Sequence, residues 1–156
     1  MTAQPRPVST GLYWDEMKVG DRFRTHRRTI TEADLVQFVN LAWLTEELFA
    51  STMPAADRVI DGRVVPGALV YSFAEGLVLP MMRDTGLAFL GAEITVTLPT
   101  VVGDTIHVDC EVIESRPTTQ PGRGLVRTSN RVIRQSGEVV LTYAPVRLIR
   151  QRPSAV

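Results

Sequence analysis

Residues 66–83 read PGALVYSFAEGLVLPMMR. Pro66-Gly67 is a turn signal, and after it Val70, Phe73, Ala74, Leu77, Val78 and Met81 recur at i, i+3, i+4 spacing, which predicts a helix running to about Arg83. Leu69, Tyr71, Leu79 and Met82 lie off that stripe, so the helix is apolar almost all round, as a helix surrounded by protein must be. Gly76 and Pro80 weaken its last turn. After Gly86 the period changes to that of strands, in four pieces: Leu87 to Leu98, Thr105 to Glu114, Leu125 to Arg134 and Val139 to Ile149. Turn signals at 102–104, 117–124 and 136–138 separate them, and Ile133 to Val140 reads as a tight hairpin. A long buried helix followed by four long antiparallel strands predicts an α+β fold, a curved sheet wrapped around the helix.

Upstream, Arg22 to Ile30 reads as an Arg-rich edge strand. Thr31 is a good N-cap for a helix with Glu32 and Asp34 in its first turn and Leu35, Phe38, Val39 and Ala42 at helical spacing. From Trp43 to Val65 the pattern breaks down, punctuated by Pro54, Asp57, Asp61 and Gly62, and loops this long in a compact domain tend to be functional or mobile. Asp57 and Asp61 are read as polar turn residues. Residues 1–10 are expected to be a disordered lead-in, 11–152 one domain, and 153–156 a frayed tail.

The whole chain has 156 residues, 44% hydrophobic, with 17 Lys plus Arg against 17 Asp plus Glu. That is one globular domain's length, and zero net charge argues against a partner bound by phosphate neutralisation, such as nucleic acid. No stretch has the apolar length of a membrane span or a secretory signal, so a cytoplasmic protein without membrane contact is expected. One cysteine, Cys110, forbids an internal disulfide and, with only His26 and His107, leaves little for a metal site or a Ser-His-Asp triad, so no metal is expected. Chemistry here should fall to carboxylates and backbone dipoles.

Four segments in order, Tyr13 to Asp21 (YWDEMKVGD), Thr31-Glu32-Ala33-Asp34, Gly62 to Ala68 (GRVVPGA) and Pro99 to Thr105 (PTVVGDT), resemble the MaoC-like dehydratases, relatives of the (R)-specific enoyl-CoA hydratases. The resemblance spans about Tyr13 to Ile149. It implies a single hotdog domain, a homodimer or larger homo-oligomer, and acyl-CoA substrates, with coenzyme A entering as part of the substrate and no permanently bound cofactor. Active members of that family carry Asp and His in a motif after the first helix. In that register this chain reads Trp43 to Phe49 (WLTEELF), with Leu44 in the Asp place and Phe49 in the His place, and a second frequent His is Pro66 here. Neither leucine nor phenylalanine transfers a proton.

The remaining candidates follow from the chemistry. Polarising a thioester carbonyl suits the backbone N–H groups at Gly67 and Ala68, at the start of the central helix, although Gly67 also suits a plain turn. Glu46, or alternatively Glu47, sits among Leu44, Leu48 and Phe49, where burial would raise a carboxylate pKa into a useful range; a solvated segment is the ordinary alternative. Thr45 is placed to orient water. Glu75 on the apolar helix is a second alternative, as the base of a thioesterase, or else the partner of an arginine. Arg63 is the substrate-phosphate candidate; the strand arginines Arg123, Arg127, Arg131 and Arg134 read as solvent-facing, and His26 and His107 as surface or structural residues. A hydratase or dehydratase with an altered catalytic set leads, ahead of a thioesterase and a non-catalytic acyl-CoA-binding subunit.

Overall fold

In the computed structural model, which describes residues 7–53, 56, 57 and 59–154, the chain docks from Gly11 onward, where Gly11 N–H donates to the Arg83 carbonyl (2.8 Å). The Pro54 turn and parts of the expected lead-in and tail lie outside the described residues. The elements are β1 (Arg22–Arg24), β2 (Arg28–Thr29), α1 (Glu32–Ala42), α2 (Glu47–Ala50), β3 (Val64–Val65), α3 (Gly67–Val78), β4 (Gly86–Val96), β5 (Thr100–Val101), β6 (Thr105–Pro117), β7 (Arg123–Arg134) and β8 (Val139–Arg150). The main sheet is antiparallel in the order β1-β6-β7-β8-β4, with β2 also on β6, and β3 with β5 forms a separate small pair.

The α+β expectation holds, and the differences have local causes. The expected strand 22–30 is two short strands, because Thr25 turns both its N–H and its hydroxyl onto Val108 and the chain bulges before rejoining β6 at Arg28. The central helix stays α-helical only to Val78; Leu79–Met82 tightens to a 3-10 turn, as Pro80 has no N–H to continue the ladder. The irregular stretch 43–65 contains α2 and β3. The strand expected to reach Leu98 ends at Val96, and the N–H groups of Thr97 and Leu98 both turn to the Val140 carbonyl.

Strict alternation places Ile106, Val108, Cys110 and Val112 of β6 and Val126, Thr128, Asn130 and Val132 of β7 on the inner face. There Ile106, Val108, Cys110 and Val132 pack with Leu69, Val70, Ala74, Leu77 and Val78 of α3, each of these helix residues at most 5% exposed. A second cluster of Met17, Val112, Val126 and Ile149 closes the far end, and Gly124 lets Trp14 lie flat on β7, since a Cβ there would fall 2.2 Å from the indole. In the Gly103 turn (φ 96°) the buried Asp104 carboxylate accepts from Val101 N–H (3.0 Å) and Gln135 Nε2 (2.7 Å), which fixes the β5–β6 corner. No helix is long and apolar enough to cross a membrane among the described residues.

Candidate active site

The corner at the start of α3 is where the chain opens. Pro66 accepts N–H bonds from Leu69 (2.9 Å) and Val70 (3.2 Å), which leaves the N–H groups of Gly67 and Ala68 as the unpaired donors of the first turn among the described residues. Gly67 lines a cleft of about 360 Å³ whose walls include Phe49, Val65, Val70, Val96, Leu98 and Leu141, and Ala68 follows it in the chain. Gly67 also packs against β4, where a Cβ would come within 2.9 Å of Val96 Cγ2, so the glycine serves close packing and donor access together. Two aligned N–H groups at the positive end of a helix, in apolar surroundings, stabilise an oxygen that gains negative charge.

The cleft lining contains Thr97 and Thr100 and no Asp, Glu or His among the described residues. Thr45, Glu46 and Glu47 are exposed; Glu46 occupies the N-cap of α2, and the segment enters the cleft wall only at Leu48 and Phe49. Just before it, Trp43 takes a left-handed conformation (φ 57°) that ends α1, and its indole is 86% exposed. Arg63 is half-buried and occupied by protein: Nε donates to the Phe49 carbonyl (3.2 Å) and Nη1 to Glu32. It ties the cleft wall to α1. Asp57 and Asp61 are exposed.

Glu75 lies outside the cleft. Arg147 Nη2 donates to both of its carboxylate oxygens (2.5 and 2.6 Å), and the Arg147 side chain is only 6% exposed. The arginine partner that the sequence left open therefore comes from β8. Sequence reading missed the cluster around this pair: Thr128, Asn130 and Tyr143 point inward, and the Asn130 amide, Thr128 Oγ1 and Tyr143 Oη are buried without a hydrogen-bond partner in good geometry. The signal was present, because residues 141, 143, 145, 147 and 149 share one face of β8. Tyr71 meets the Tyr143 ring edge-on at 5.2 Å, and burial, then the Glu75 charge, push the Tyr143 hydroxyl well above the usual phenol range. Burial likewise pushes the Cys110 thiol up to about 12, so it is a neutral core group.

No protein-family model matches the chain. The protein MaoC of Klebsiella aerogenes is 35% identical over 97 residues, which are 62% of this chain and 29% of that protein, so the match spans less than a third of the relative's length. Among solved structures, a monoamine oxidase regulatory protein from Archaeoglobus superposes with a TM-score of 0.81 at 28% identity, covering 92% of this chain and 97% of that one. A MaoC-like dehydratase from Rhodospirillum rubrum gives 0.80 at 23% identity over 92% and 99%. A Mycobacterium tuberculosis protein with a double hotdog fold gives 0.76 at 19% identity over 94% of this chain and 46% of that one. With its helix packed on the inner face of an antiparallel sheet, the chain has the hotdog fold, and a stretch of its sequence is similar to part of the protein MaoC.

Proposed function

We propose that this chain adds or removes water across the C2–C3 bond of an acyl thioester, as an acyl-CoA hydratase or dehydratase with an altered catalytic set. The observation that carries the reading is the meeting, at one end of α3, of an apolar cleft with the two acceptor-free N–H groups of Gly67 and Ala68. In hydration, water oxygen bonds to C3 and a proton reaches C2, while negative charge builds on the thioester oxygen in between; the paired N–H groups are placed for that oxygen. Glu46 is the group assigned to carry the proton, with Thr45 orienting water and Glu47 as alternative, because this segment runs directly into the cleft wall at Leu48 and Phe49. Coenzyme A belongs to the substrate, and no resident cofactor or metal is part of the reading.

The working unit is a homodimer, in the cytoplasm. Strand β4 has one bare edge over eleven residues, with Leu87, Phe89, Leu90, Ile94 and Val96 exposed and Glu93 as its only charge. Such an edge is a template for a second chain. A second reading, a silent acyl-thioester-binding subunit, is favoured by the absence of acid or base from the described cleft lining.

Incubation with crotonyl-CoA separates the readings. Loss of enone absorbance is hydration, release of free thiol is thioester hydrolysis, and saturable binding without either is the silent subunit. Glu46→Gln is expected to lower the hydration rate by about 10²–10⁴-fold, the usual contribution of an acid–base group. Undiminished turnover in that variant removes Glu46 from the mechanism.

A further inference from the structure

The opposite side of the sheet carries a second concentration of chemistry that the thioester reading does not use. The bulge at 25–27 reverses the side-chain alternation: Arg28 turns to Asp34 and stacks 3.7 Å from the Phe73 ring, while Arg27 joins the outer-face depression that holds His107. That depression, of about 520 Å³, is lined also by Arg24, Arg134 and Thr105, with Ile133 directly opposite His107 on β7. Arg24 is held at its edge by Asp109, Nε and Nη2 donating to the two carboxylate oxygens at 2.6 and 2.8 Å. Asp109 also faces Arg131 at 3.8 Å and His107 Nε2 at 3.8 Å, so one carboxylate serves two guanidinium groups and an imidazole. Arg134 is paired with Glu138, and Arg27 has no ion pair among the described residues. His107 Nε2 is buried and has no hydrogen-bond partner among the described residues.

Positive charge therefore exceeds negative here, in a chain whose total charge is zero. Planar guanidinium forks beside a protonatable imidazole match a tetrahedral oxyanion, which accepts several charge-assisted hydrogen bonds at once. We propose that the depression between the 25–27 bulge and the 134–137 hairpin binds a phosphate-type oxyanion, with Arg27 and Arg24 as its main donors and His107 beneath them. Strand β6 lies three places from β4 in the sheet, so a second chain on the β4 edge leaves this site open. Phosphate on a nucleotide and free phosphate share this chemistry. The proposal stands independently of the thioester reading.

His107 reports on the site. Its pKa is held below the ordinary imidazole value by burial first, with Arg24 and Arg27 acting in the same direction and Asp109 against them. A bound dianion adds negative charge beside the imidazole, so the His107 pKa followed by imidazole NMR should rise by about one unit in inorganic phosphate compared with chloride at equal ionic strength. Arg27→Gln should weaken half-saturation by phosphate about tenfold, and Arg27→Lys should recover part of it. Arg27 is exposed, so the fold survives the change. Repeating the titration with pyrophosphate and with a nucleoside bisphosphate separates the sources: tighter binding of the nucleotide assigns the site to nucleotide phosphate, and equal binding assigns it to free oxyanion. A His107 titration that is the same in phosphate and chloride, or a phosphate response unchanged in Arg27→Gln, overturns the proposal.

Discussion

Arg147 shows how one side chain can decide what another is for. Glu75 on α3 has the position of a base, yet a buried guanidinium holds both of its oxygens and converts it into half of a helix-to-sheet clasp. A buried pair adds little net stability over an apolar replacement, but breaking it strands a charge. Arg147→Met is therefore expected to destabilise the protein by about 3–5 kcal/mol in urea titration, and adding Glu75→Gln should restore part of that loss. If the clasp were idle, both variants would match the parent. At this scale the candidate site was half legible. Gly67 and Ala68 could be found because a helix start exposes its N–H groups whatever surrounds it. The partners of Glu75 and Arg63 could not, since Arg147 is 72 residues away and Glu32 is 31, and only folding brings them within reach.

Among the elements, those with local causes follow their residues closely. Helix α1 begins where Thr31 and Asp34 cap each other: Asp34 N–H donates to Thr31 Oγ1 (3.2 Å), and Thr31 N–H to Asp34 Oδ2 (2.8 Å). Thr31→Ala should cost about 1 kcal/mol in the same titration. The cap is also an acid sensor. The Thr31 N–H bond, followed by the Thr31 hydroxyl and Arg28, holds the Asp34 carboxyl below its ordinary value of 3.8. A depressed pKa gives stability that is complete above the unfolded value and is lost as pH falls through the folded one. Asp34→Asn should thus be less stable than the parent at neutral pH, and the gap should close below about pH 3.8 in unfolding curves taken across acid pH. The first strand did not follow its residues. The stretch from Arg22 to Ile30 carries no Gly or Pro to break it, and the interruption is imposed by β6, where Thr25 N–H donates to the Val108 carbonyl and Val108 N–H donates to Thr25 Oγ1.

On the scale of the molecule, β4 leaves an apolar edge without a partner strand among the described residues. Its inner edge is matched along β8, and its other edge presents exposed apolar side chains. Pairing with a second copy would cover them, so Ile94→Lys should shift the protein from a two-chain to a one-chain mass by light scattering, and β4 would be ruled out as the interface if the mass did not change. The amino-acid sequence by itself determined the long buried helix, the four strands after it and the α+β class, because hydrophobic period is a local property that survives any arrangement of neighbours. Only the tertiary structure decided which carboxylates are occupied by arginines, that the described cleft lining carries no acid or base, and that Arg24, Arg27 and His107 share one depression. Charge pairing and burial depend on distances through space, and those are set by how the sheet and helix pack.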